Sequence, residues 1–169
     1  GLRALFAVCG RDPAQASAFD FGFTIGPRIN AAGRLTDMSV GIECLITDNE
    51  DQALALAREL DRINQERRQI EGTMREQALA CMDNVDADGD KAAICVYQPD
   101  WHQGVVGLVA SRLKEQFWRP VVALAPAGDG TWRGSGRSIP DVHLRDVFDL
   151  VAKRHPGLIL KFGGHAMAA

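Results

Sequence analysis

Two arginines and an asparagine stand among small residues in Gly26-Pro27-Arg28-Ile29-Asn30-Ala31-Ala32-Gly33-Arg34, with no acid between them. A guanidinium fork grips phosphate through two parallel hydrogen bonds, and small neighbours let a ligand's backbone come near. The segment reads equally as a phosphate contact or as an irregular loop in which Arg28 or Arg34 pairs with a buried carboxylate. A second cluster, Trp132-Arg133-Gly134-Ser135-Gly136-Arg137-Ser138, alternates glycine with Ser135 and Arg137, so that a hydroxyl and a guanidinium share one face of an extended strand. That is a phosphate clamp in chemistry, and its plainer alternative is a glycine-rich strand with a bulge. The third, Lys161-Phe162-Gly163-Gly164-His165, pairs closely approaching backbone N–H groups with a proton donor or positive charge at an expected helix start. Its alternative is a tight turn with a surface histidine. As the chain runs only four residues further, the sequence reads as a piece of a longer protein, cut within a site.

A fourth cluster, Asp100-Trp101-His102-Gln103-Gly104-Val105-Val106-Gly107, lies where a strand gives way to a helix, the end of an open α/β sheet at which ligands gather. Asp100-x-His102 lacks a third metal ligand, so a capping aspartate with an orienting histidine is the better reading. Asn84-Val85-Asp86-Ala87-Asp88-Gly89-Asp90 suggests a calcium loop until the register is counted, because Cys95 then falls where the bidentate glutamate belongs. It reads as an acidic helix stop. The Walker and dinucleotide glycine spacings are absent, as are a nucleophile with its base and a carboxylate cluster with metal-ligand spacing.

The elements that must hold these clusters are legible in part. Leu2 to Val8 is a short helix or strand, and Asp20 to Pro27 reads as extended chain entering a turn. Thr47-Asp48-Asn49-Glu50 has the form of a capping box opening a long helix to about Asn84, with Leu56, Leu60, Ile63, Arg67, Ile70, Met74 and Cys81 on one stripe. Such a helix would be on the order of 50 Å long, the length of a connector between domains. Beyond it the pattern predicts a strand at Ala92–Tyr97, a helix at Gln103–Phe117 and a strand at Val121–Ala125. A hairpin strand at Thr131–Gly136, a helix from Asp141 to about Arg154 and a returning strand at Gly157–Lys161 complete it. The expected fold is α/β, a long connecting helix followed by a small mixed-sheet α/β domain.

With 169 residues, 46% of them hydrophobic, the chain can bury a core for one compact domain and a connecting piece. No run approaches the roughly 18 apolar residues of a membrane span, and no basic-then-apolar leader opens the chain. Cys9, Cys44, Cys81 and Cys95 are scattered and read as reduced core residues, which fits a cytoplasmic protein. A net charge of −3 argues against indiscriminate coating of nucleic acid. Residues 1–99 carry ten Lys/Arg against sixteen Asp/Glu, and residues 100–169 nine against six, so the basic surplus lies with the glycine clusters, though taken alone this asymmetry reads better as ordinary variation of surface charge. The residues alone thus reach a phosphate-ester-binding domain on a helical stalk.

In this order, the clusters resemble those of the RecJ family of single-strand-specific DNA exonucleases, part of the DHH phosphoesterase superfamily. Phe23 to Leu35 is similar to the segment closing the family's catalytic domain, and Leu60-Asp61-Arg62-Ile63-Asn64-Gln65-Glu66-Arg67-Arg68 to its linking helix. Trp101–Gly107, Gly134–Ser138 and Phe162–Ala169 are similar to the DHH-associated domain. The resemblance implies a catalytic-domain remnant at 1–46, a connecting helix at 47–85 and a DHH-associated substrate-binding domain at 91–169. It implies a 5′-to-3′ single-stranded DNA exonuclease of repair and recombination, working by two-metal phosphodiester hydrolysis with Mn2+ or Mg2+. Those metals would be bound outside this chain, which has no Asp-His-His and no metal ligand of its own, so the chain alone should be inactive. Arg28, Asn30, Arg34, Gln65, His102, Ser135, Arg137, Gly163 and Gly164 would contact single-stranded DNA, and His165 would act on the reacting phosphate. Alternatives are a phosphodiesterase for short oligonucleotides or cyclic dinucleotides, disfavoured by the long stalk and Arg28-Ile29-Asn30, and a nucleic-acid-binding module without catalysis. Single-strand-binding protein or helicase partners are not specified by the sequence.

Overall fold

The computed structural model describes residues 1–83 and 92–169, which form two compact units, Gly1–Gln69 and Ile70–Ala169. The acidic stop and the expected end of the long helix near Asn84 lie outside the described residues.

The first unit is helical: α1 (Leu2–Val8), a 3-10 turn at Pro13–Gln15, α2 (Ala18–Asp20), α3 (Gly26–Leu35), α4 (Ser39–Ile46) and the first part of α5 (Glu50–Asp83). Leu5, Phe6, Ile25, Ala32, Cys44, Ala57 and Leu60 make its core, flanked by Val8, Ile29, Val40 and Leu56. Phe6 meets Phe21 edge to face at 5.7 Å. Leu2–Val8 is thus the helix of its two alternatives.

Asp20–Pro27 is helical rather than extended. Ser17 and Asp20 form a capping box, the Asp20 carboxylate accepting from the Ser17 N–H (3.0 Å) and hydroxyl (2.7 Å). These bonds, the hydroxyl's first, hold the Asp20 carboxyl below its ordinary range. A π-helical turn, Phe21–Ile25, then carries the chain into α3. The wide turn brings the Phe21 carbonyl so close that a Cβ on Gly26 would sit 2.9 Å from it, and Pro27 follows in the first turn, where its missing N–H costs nothing.

The cap of α5 is also not the expected one. Asn49 Oδ1 accepts from the Gln52 N–H at 3.0 Å, while Thr47 Oγ1 accepts from the Asn49 N–H at 3.3 Å. Asn49 is therefore the N-cap, and Thr47 holds the N–H of Asn49 itself. The buried face of α5 is lined by Ala53, Ala57, Leu60, Ile63 and Asn64 in the first unit and by Met74, Ala78 and Met82 in the second. Arg67, which interrupts the apolar stripe, donates to Asn64 Oδ1 at 3.0 Å. All four cysteines are free, but only Cys44 is fully buried, and burial pushes its thiol up; Cys81 and Cys95 are exposed, contrary to their expected place in the core.

The second unit holds a three-stranded mixed sheet in the order β1 (Ile94–Tyr97), β2 (Val121–Pro126), β3 (Trp132–Arg137). β1 and β2 are parallel, with Ile94 opposite Val121; β2 and β3 are antiparallel, with Val121 opposite Arg137. Parallel neighbours need a crossover, and α6 (Val106–Phe117) supplies it, burying Val106, Val109, Ala110 and Leu113. Trp118 ends α6 in the left-handed conformation, with Pro120 following. The β2–β3 turn uses positive φ at Gly128 and Gly130, and the Thr131 hydroxyl, donating to Asp129, holds that carboxyl below its usual range.

α7 (Leu144–Arg154) starts three residues later than expected, because His143 Nδ1 caps it by accepting from the Asp146 N–H. Gly157–Lys161 is not a strand. The outer edge of β3 is met instead by residues 167–169: Gly136 and Ala169 exchange N–H···O bonds of 2.6 and 3.2 Å, and the Ser138 N–H donates to the Met167 carbonyl. Among the described residues no helix is long and apolar enough to cross a membrane.

Candidate functional site

Ser135 and Arg137 lie on the α6 side of β3, each opposite a buried residue of β2, Ala123 and Val121 respectively. Arg137 folds back along its strand, so that Nη1 donates to Ser135 Oγ and to the Gly136 carbonyl, both at 2.7 Å. Hydroxyl and guanidinium thus form one preoriented pair. The strand is regular from Trp132 to Arg137, without the bulge of the plainer alternative. Its glycines have steric reasons: a Cβ on Gly134 would meet Leu124 Cδ2 at 2.4 Å, and one on Gly136 would meet Leu144 Cδ2 at 2.5 Å.

Opposite this pair stands the start of α6, which has no side-chain cap. Asp100 does not cap it; Asp100 Oδ2 accepts from Gln77 Nε2 at 3.3 Å, and the Trp101 indole donates to Gln77 Oε1 at 2.7 Å. The Nδ1 of His102 accepts from the Gly104 N–H at 3.1 Å, within the chain that enters α6. Arg133, on the same side of β3 by the period of two, reaches Gln103 Oε1 with Nη1 at 3.3 Å. Arg133 and Gly107 lie inside two of the clusters, but neither was singled out there as a contact. The every-second-residue run Arg133, Ser135, Arg137 was the available signal for the first; nothing local marks the second.

Gly163, Gly164 and His165 lie in an irregular segment, not at a helix start. The His165 N–H donates to the Ala168 carbonyl at 2.7 Å, closing a turn that Ala168 sets beside Arg137. Gly164 has φ +140°, and a Cβ there would lie 2.4 Å from the Ala168 carbonyl oxygen, so the position takes glycine on both counts. The side chain of His165 is exposed.

In the first unit, Asp61 joins two of the expected contacts. Its Oδ1 accepts from Arg28 Nε at 2.8 Å and its Oδ2 from Gln65 Nε2 at 2.7 Å; Arg28 Nη1 also donates to the Thr24 carbonyl at 2.6 Å. The Arg28 and Asp61 side chains are only 16% and 19% exposed, so this pair ties α3 to α5. Asn30, Arg34 and Gln65 are exposed. Replacing Asp61 by alanine should cost about 1.5 kcal/mol of stability, as a charged hydrogen bond is lost while Thr24 still holds Arg28. Asp61→Asn should cost less; urea denaturation of both variants measures the difference.

Among the described residues no group of three or more His, Cys, Asp or Glu side chains is placed to hold a metal ion, so the described residues do not supply a divalent-metal centre.

The DHHA1 domain family matches residues 89–169. The whole chain is 55% identical, over 171 aligned residues, to the single-stranded-DNA-specific exonuclease RecJ of Dickeya dadantii, of which it spans 30%. Crystal structures of RecJ from Thermus thermophilus in complex with Mg2+ and with Mn2+ superpose on 99% of the chain at 34% identity. Their TM-scores are 0.81 and 0.79, and the chain covers 24% and 23% of them. The α/β fold with its long helix and small mixed sheet is the fold of those structures over the matched region. The chain thus spans well under half the length of the relatives it matches, from 21% to 39% of each.

Proposed function

We propose that this chain, whose residues 89–169 match the DHHA1 domain and which is 55% identical to a RecJ over 171 aligned residues, is the substrate-gripping part of a RecJ-family 5′-to-3′ single-stranded-DNA exonuclease. The observation that carries the reading is the preoriented Ser135–Arg137 pair, a hydroxyl and a guanidinium 2.7 Å apart on one face of β3, inside the DHHA1 match. Such a pair suits a phosphodiester oxygen, and the basic surplus of residues 100–169 favours an anionic strand. On this reading residues 1–46 close a catalytic domain, 47–85 connect, and 91–169 bind substrate.

Ser135 and Arg137 hold phosphate near the 5′ end, with Arg34, Asn30 and Gln65 as exposed contacts in the first unit. Arg28 acts through its bond to Asp61, which also positions Gln65. His102 orders the chain entering α6, and Gly163 and Gly164 shape the turn that presents His165 to the reacting phosphate. The divalent metals, Mg2+ or Mn2+ as in the Thermus thermophilus RecJ structures, would be held by residues outside this chain. A cytoplasmic role in DNA repair and recombination accords with such an activity.

The test is digestion of 5′-labelled single-stranded and duplex oligonucleotides with Mg2+ or Mn2+. The full-length enzyme should release mononucleotides from the 5′ end of the single strand and spare the duplex. Residues 1–169 alone should leave both intact. Metal-dependent release of mononucleotides by the chain alone, with contaminating nuclease controlled for, would place a metal centre here and overturn the reading. So would a full-length enzyme that cleaves only cyclic dinucleotides or very short oligonucleotides.

A further inference from the structure

Gly107 sits in the first turn of α6, directly across from the Ser135–Arg137 pair. A Cβ built on it would lie 3.0 Å from Arg137 Nη2, 3.1 Å from Ser135 Oγ and 3.5 Å from Ser135 Cβ. The first two distances are below ordinary van der Waals contact, so one partner must yield by a few tenths of an ångström. The backbone of α6 is poorly placed to do so, since Val106, Val109, Ala110 and Leu113 anchor it in the core. Arg137 can move, but Nη1 is fixed to Ser135 Oγ and the Gly136 carbonyl, and any shift of the guanidinium loosens those bonds. A helix has no need of glycine at this place: φ at Gly107 is not positive, and alanine is the better helix former.

We infer that Gly107 is a positioning residue, whose missing side chain lets the Ser135 hydroxyl and the Arg137 guanidinium hold their phosphate-gripping geometry. The inference rests on the proposed role of that pair. Its signature is a split between stability and binding. Gly107→Ala should leave the melting temperature unchanged or higher, because the helix gains and the displaced group is the end of a flexible side chain. Binding should weaken. Loosening one charge-assisted contact in part should cost about five-fold in affinity for single-stranded DNA, less than the full loss of such a bond.

The experiment measures, in the full-length enzyme, melting temperature and affinity for a 5′-phosphorylated, non-hydrolysable single-stranded oligonucleotide. The variants are Gly107→Ala, Arg137→Ala and the double variant. The expected result is weaker binding in both single variants, no loss of melting temperature in Gly107→Ala, and no further weakening when Gly107→Ala is added to Arg137→Ala. If Arg137→Ala weakens binding and Gly107→Ala does not, the inference fails while the pair keeps its role. If Arg137→Ala binds as the parent does, the role of the pair fails first. A Gly107→Ala variant that melts many degrees lower, or that loses affinity equally with and without Arg137, would make Gly107 an ordinary packing residue and overturn the inference.

Discussion

Replacing His165 with alanine in the full-length enzyme is expected to lower the catalytic rate by about one to three orders of magnitude, the range that follows loss of one donor to a developing negative charge. Thermal stability should stay nearly unchanged. The reason is local: the fold holds this residue by its main chain, through the N–H bond to the Ala168 carbonyl and the positive φ of Gly164, and both survive the substitution. The imidazole is exposed, with no hydrogen bond or ion pair among the described residues, so its removal leaves no buried group unsatisfied. On the proposed role, a donor on this glycine-shaped turn would meet the phosphoryl oxygens as charge builds on them, and the loss should therefore fall on kcat rather than on KM. Rate and melting temperature are measured together. A variant that melts many degrees lower, yet cleaves normally when kept folded in the cold, would show that His165 serves the fold.

How much of this was legible in the sequence depends on how far each signal reaches along the chain. Val106, Val109, Ala110 and Leu113 repeat at helical spacing, and all four are buried. The β-branched and apolar runs around Ile94–Tyr97 and Val121–Ala125 became paired strands. The failures have physical causes. At Asp20–Pro27 the turn residues outweighed Ser17-x-x-Asp20, a capping signal just upstream, and a π turn has no periodicity of its own to read. In α5, a stripe drawn through large apolar residues passed over Ala53, Ala57 and Ala78, which are buried because they are small. At Gly157–Lys161 an apolar run between turns mimics a strand, but the β3 edge is occupied by residues 167–169. The site divides in the same way. Ser135 and Arg137 were visible as alternation within one strand, whereas Gly107 meets them from a helix far earlier in the chain, a proximity that only the crossover between β1 and β2 creates.

Arg137→Ala should weaken binding of a non-hydrolysable single-stranded oligonucleotide by about 2 kcal/mol, roughly thirty-fold, through loss of a charge-assisted contact to phosphate. Because a phosphate contact releases counterions, the dependence of log affinity on log salt should also become shallower, by about 0.7 for one contact on a single strand. Arg137→Lys separates charge from geometry. Lysine keeps the positive charge, but a single ammonium cannot both donate to Ser135 Oγ and the Gly136 carbonyl and present a planar fork to a phosphate. Its salt dependence should remain near the parent's while its affinity stays well below. Titrations across a series of salt concentrations distinguish the cases. If parent and both variants bind and digest single strands alike, the bonds of Arg137 to Ser135 and Gly136 serve only to stiffen β3 where residues 167–169 meet it, and the grip on the 5′ end comes from residues other than this pair.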